Sequence, residues 1–76
     1  MYWYAIYRYI GVKRPGISGP YPLEDKAWYA LSKIQERDSN VIPWDVYGTF
    51  TSDPEEALIE FLGQRQFEYT GGKRRA

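Results

Sequence analysis

The stretch YWYAIYRYI, residues 2–10, carries five aromatic rings in nine positions and contains neither proline nor glycine. Tyr, Trp and Ile favour extended backbone, so the pattern predicts a strand over residues 2–12. Successive side chains of a strand point to opposite faces, and both sets are largely apolar here. The fold therefore depends on whether helices cover one face of this strand or both.

Two arrangements are open at this point. Helices on both faces would bury the strand completely, which is the usual meaning of a continuous apolar run. Helices on one face alone would leave the side chains of Tyr2, Tyr4 and Arg8 in solvent. Arg8 favours this second arrangement, because a buried guanidinium needs a partner. An open aromatic face indicates a site for self-association or for a ligand.

The chain beyond this strand alternates turn, helix and strand signals. Residues 13–22, KRPGISGPYP, predict a loop with a short irregular edge segment at Ile17 and Ser18. Helix formers follow over residues 23–37. Alternation of apolar with polar side chains then predicts a half-buried strand over residues 44–51.

A second helix is predicted over residues 52–63, SDPEEALIEFLG. Asp53 is a good N-cap, Pro54 suits the first helical position, and Glu56 can complete a capping box with Asp53. Residues 66–70, QFEYT, alternate aromatic with polar side chains and predict a short third strand.

These elements predict one small α/β (α+β) domain with the order β-α-β-α, closed by the short third strand. Two helices pack on a sheet of about two to four strands. If the first two strands are parallel, the helix between them makes a right-handed crossover. Residues 1–71 form the compact domain, and residues 72–76 form a disordered basic tail.

Residues 19–34, GPYPLEDKAWYALSKI, resemble the turn and the alanine-containing helix found in peptidoglycan-binding SPOR domains and other small α+β modules. The resemblance implies the same fold class. No functional residue is carried over from it.

The residue types exclude several chemistries. The 76 residues contain no Cys and no His, which removes disulfides, thiolate chemistry, zinc sites of the Cys/His kind and the usual general base. The acidic residues of the second helix lack the spacing of a calcium loop, and no glycine-rich phosphate motif occurs. We therefore expect a non-catalytic protein that uses no metal and no cofactor.

Charge is unevenly distributed along a chain whose formal net charge is zero. Residues 1–22 sum to +3, residues 23–60 to −6 and residues 61–76 to +3. A zero total argues against strong nonspecific binding of polyanions, although one side of a polarised molecule can hold an anionic partner. The sequence shows no secretory leader and no apolar run that could cross a membrane, which predicts a soluble, cytoplasmic protein without a membrane partner.

Binding is the predicted function. Tyr, Trp and Arg are enriched in interface hot spots, and a domain with a small core has physical reason to associate. The leading prediction is a protein-interaction or regulatory module, including self-association, that uses Tyr2, Tyr4 and Arg8. The alternative is single-stranded nucleic acid, whose bases stack on such rings while basic side chains contact phosphates. The basic candidates are Lys13, Arg14, Lys73, Arg74 and Arg75.

Overall fold

The computed structural model describes the backbone of residues 1–75 and the side chains of residues 1–64. The elements follow the order ββαβα. They are β1 (Tyr2–Tyr9), β2 (Gly16–Tyr21), α1 (Glu24–Arg37), β3 (Val41–Thr49) and α2 (Pro54–Arg75). The chain is thus a small α+β domain with a three-stranded sheet and two helices, which confirms the predicted fold class.

The strand β1 lies in the middle of the sheet, whose order is β2-β1-β3. Both neighbours pair with it in the antiparallel sense, so β2 and β3 run parallel to each other on either side of it. The parallel pairing considered for the first strand and the strand near residues 44–51 is therefore wrong. The helix α1 instead crosses over the central strand to connect the two outer strands.

Both faces of β1 are covered. Tyr4, Ala5 and Ile6 are consecutive and each is 0% exposed, and consecutive strand residues point to opposite faces. The arrangement with one open face is therefore wrong, and the strand covered on both faces is correct for residues 4–6, whereas Tyr2 and Arg8 near its ends are exposed. The two helices make no contact with each other within the described residues, since the sheet separates them.

The helix α2 covers the face that holds Ile6. Leu58 and Phe61 form a buried cluster with Ile6. The rings of Trp44 and Tyr47 meet the Phe61 ring edge-on, with centroids 5.1 Å and 5.6 Å away. Edge-to-face pairs of this kind add stabilisation beyond the area they bury.

The helix α1 covers the face that holds Ala5, where Ala27 and Leu31 are its buried residues. Two rings of β1 on this face lie across glycines of the neighbouring strands. A Cβ at Gly16 would meet the Tyr7 ring and a Cβ at Gly48 the Trp3 ring, both closer than atoms can approach. The outer strands therefore need glycine at these two positions, because any larger side chain would clash with the rings.

The side chains of Thr51, Asp53 and Glu56 form the hydrogen bonds at the start of α2. The Asp53 carboxylate accepts the Glu55 N–H at 3.0 Å, which confirms Asp53 as the N-cap. The predicted capping box takes a different form. Glu56 accepts a hydrogen bond from the Thr51 hydroxyl at 2.8 Å, and that hydroxyl accepts the Asp53 N–H at 3.2 Å.

Two predictions of local structure need correction. The irregular edge segment predicted at Ile17 and Ser18 is part of a longer edge strand, β2, which replaces the loop over residues 16–21 and has a register shift opposite Trp3 and Ala5 that accommodates Gly19 and Pro20. Gly19 has φ of +136°, and a Cβ there would lie 2.9 Å from the Trp3 carbonyl oxygen. Residues 66–70 are not a strand, because α2 continues through them to Arg75. The domain boundary at residue 71 and the disordered tail stay predictions.

Replacing Tyr4 tests the enclosure of β1. Its hydroxyl donates to the Thr51 carbonyl oxygen at 2.9 Å. We expect Tyr4→Phe to lower the free energy of unfolding by about 1 kcal/mol, since one hydrogen bond is lost. Tyr4→Ala should cost on the order of 3 kcal/mol, since a cavity is added. Urea denaturation measures both, with the exposed Tyr29→Phe as a control that should change little. A near-neutral Tyr4→Ala would contradict the enclosed strand.

Stability should also fall at alkaline pH. Burial raises the pKa of Tyr4, Tyr7 and Tyr47 above the ordinary value of 10.0. Each of these tyrosines has a higher pKa in the folded state than in the unfolded state. Its contribution to the free energy of unfolding is therefore complete below pH 10 and is lost as pH rises through the folded-state pKa. We expect Tyr4→Phe to show a shallower alkaline loss of stability than the wild type. Parallel slopes in urea denaturation against pH would contradict this.

Candidate interaction surface

Enclosure of β1 leaves its two ends as the accessible parts of the aromatic strand. Tyr2 is 41% exposed at the first end, where it pairs with Thr49. Tyr4 has no exposed surface, so the expectation that it lies on an open face is wrong. The second end, around Arg8, carries a different kind of surface.

A shallow groove lies where β1 passes into the loop before β2. It is lined by residues 8–13 and Ile42, and we call it the hairpin groove. Ile10 is 62% exposed, Val12 50% and Ile42 49%. Three β-branched aliphatic side chains thus face solvent together, which is uncommon on a turn.

Local pairing and a tight turn build the hairpin groove. Arg8 stands opposite Ile42 in the β1–β3 ladder, and the Ile10 N–H extends that ladder by donating to the Asn40 carbonyl oxygen at 2.9 Å. The chain then turns at Gly11, whose φ of +80° favours glycine. The Val12 N–H closes the turn by donating to the Tyr9 carbonyl oxygen at 3.1 Å. Backbone geometry therefore brings Ile10, Val12 and Ile42 to one place.

Arg8 connects this groove to the core. Its guanidinium carbon lies 4.9 Å from the centroid of the Trp44 ring, a cation–π distance. The Trp44 ring in turn packs against Phe61 of α2. The Trp44 ring thus contacts both the exposed Arg8 side chain and the core.

The charged side chains that line the hairpin groove are both cationic. Arg8 and Lys13 belong to neither of the two ion pairs found among residues 1–64. Arg14, the next residue, is different. One of its guanidinium nitrogens donates to both carboxylate oxygens of Glu55 at 3.0 Å. The groove therefore has a positive local charge, while Arg14 lies beside it with its charge already matched.

The structure brings together some of the predicted site residues and separates others. Arg8 and Lys13 share the hairpin groove, whereas Tyr2 lies at the opposite end of β1 and Tyr4 lies in the core. The side chains of residues 73–75 lie outside the described part of the chain. The site predictions did not include Ile10, Val12 and Ile42. The sequence could have indicated them, because these aliphatic residues lie close to a glycine turn or to the start of a strand, where polar side chains are more usual.

Other exposed apolar side chains are scattered over the molecule. Phe50 and Ile59 are the most exposed of them, and Trp28 borders a second shallow groove between α1 and Pro43. The Trp28 indole N–H donates to Glu24 at 3.2 Å, which occupies its polar atom. The residues that line this second groove include no charged side chain.

The described residues show neither a metal-binding cluster nor a membrane-spanning helix. No group of three or more Asp, Glu, His or Cys side chains that could hold a metal ion occurs in the described residues. Among those same residues, no helix combines the length and the apolar character that crossing a membrane requires. The chain has no significant match to a protein-family model, to a curated protein or to a solved structure.

The aliphatic residues of the hairpin groove should be dispensable for folding. We expect Ile10→Ser and Ile42→Ser to change the free energy of unfolding by less than about 0.5 kcal/mol, because Ile10 is 62% exposed and Ile42 is 49% exposed. Ile6→Val in the core should cost about 1 kcal/mol. Urea denaturation of the three variants makes the comparison. A loss of several kcal/mol for Ile42→Ser would mean that the residue belongs to the core.

Proposed function

We propose that this protein is a small non-catalytic binding module that acts through protein–protein contact at the hairpin groove. The supporting observation is the exposure of Ile10, Val12 and Ile42 side by side. Burial of aliphatic surface is the main driving force of protein association, and between 49% and 62% of the surface of each residue is exposed and available for it. A regulatory role and a cytoplasmic location stay predictions within this proposal.

Self-association remains one form of this contact. The strand β1 is paired on both sides, so its edge is not available to a second copy. Pro43 and the adjacent register shift interrupt the edge of β3. A homodimer would therefore form through side chains of the hairpin groove rather than by joining two sheets.

Single-stranded nucleic acid has less support as a ligand. Its proposed platform included Tyr4, which is buried, and Arg14, which is paired with Glu55. The hairpin groove is lined by three aliphatic side chains and by one aromatic residue, Tyr9, whose ring meets the Tyr7 ring edge-on, so it offers bases a single ring to stack on. Arg8 and Lys13 are the features that keep this alternative open.

Association of matched variants tests the proposal. Ile42→Ser removes groove surface, and Ile59→Ser removes an equally large exposed side chain from α2. Sedimentation equilibrium measures self-association, and quantitative mass spectrometry compares proteins captured from an extract of the cells that encode this chain. We expect at least one contact, with a second copy or with another protein, that Ile59→Ser keeps and Ile42→Ser loses. A monomer that captures nothing sensitive to Ile42→Ser would overturn the proposal.

A further inference from the structure

We infer that the hairpin groove recognises an acidic, apolar segment of a partner protein. This inference rests on the proposed function and adds the chemistry of the partner. Three features of the groove carry it: its aliphatic floor, the sign of its charges and the contact of Arg8 with the Trp44 ring.

The floor selects for aliphatic side chains. Ile10, Val12 and Ile42 present methyl groups and no hydrogen-bonding atoms. Polar side chains placed against them would lose water without gaining a partner, which is unfavourable. Apolar side chains of a partner would bury area on both sides of the contact.

The charges select for carboxylates. Arg8 and Lys13 both line the groove and neither has an acidic partner within the described side chains. The neighbouring Arg14, in contrast, already forms an ion pair with Glu55. A partner that carries Asp or Glu beside its apolar residues complements the groove in charge as well as in polarity.

The position of Arg8 makes it suited to this role. Its guanidinium carbon lies 4.9 Å from the centroid of the Trp44 ring, a cation–π contact, and no ion pair among residues 1–64 involves it. A carboxylate accepts two N–H groups in the plane of a guanidinium.

The same features disfavour two other anionic partners. Nucleic acid gains affinity from several phosphate contacts and from stacking on several aromatic rings, whereas this groove offers two cations, the single ring of Tyr9 and an aliphatic floor. An anionic membrane surface attracts clusters of basic residues, whereas the chain is neutral overall with its acids concentrated over residues 23–60. A peptide segment is the partner that uses both the floor and the two charges.

A displayed library of random peptides, selected on the immobilised full-length protein, tests the inference. We expect the enriched sequences to combine Asp or Glu with Val, Leu or Ile. Fluorescence anisotropy of an enriched peptide should show binding about tenfold weaker or more for Lys13→Glu. Lys26→Glu, which makes the same charge change on α1, should bind as the wild type does. Binding should also weaken as the salt concentration rises, because exposed charges are screened.

The opposite outcomes are distinct. Enriched peptides without an acidic excess, or binding indifferent to Lys13→Glu but lost in Ile42→Ser, would overturn the acidic partner and leave the proposed function intact. Failure to enrich any peptide would overturn the inference as well. A single-stranded oligonucleotide or anionic phosphatidylserine vesicles that bind more tightly than every enriched peptide, with the same sensitivity to Lys13→Glu, would replace it.

Discussion

The enclosure of residues 4–6 on both faces of the central strand is the constraint on which the rest of the structure depends. Opening either face of this strand would expose Tyr4 and Ile6 or Ala5 to water, so α1 and α2 both contribute to its burial. Its second partner strand, β3, follows β2 and α1 along the chain. We therefore expect the domain to fold as one cooperative unit, since no pair of its elements encloses β1 alone.

Local signals predicted the helices and the central strand because those signals agreed with the final packing. The capping residues before Pro54 set the start of α2, and the aromatic run set β1. The strand β2 was predicted only as a short edge segment at Ile17 and Ser18, because its sequence, GISGPY, consists largely of turn formers. Glycine is required at two of its positions by contacts with rings of β1, which are tertiary constraints that local patterns do not reveal. The alternation in residues 66–70 was also misleading, since a preceding helix continued through it.

The candidate site was predicted in part. Arg8 and Lys13 were identified from charge and from their position beside the aromatic run, and both line the hairpin groove. Tyr4 was misplaced because the sequence alone does not show which faces of a strand the helices cover. Ile42 was not predicted, since only the register that sets it opposite Arg8 brings it to the groove. A site whose residues are far apart in the sequence can be predicted only when the strand order is known.

The outer strands each contain a proline next to a register shift, Pro20 in β2 and Pro43 in β3. Such edges interrupt the continuous row of backbone donors and acceptors on which one sheet could extend another. The outer edges of β2 and β3 are therefore poor templates for a strand from another chain, and contact between copies of this protein is left to its exposed side chains.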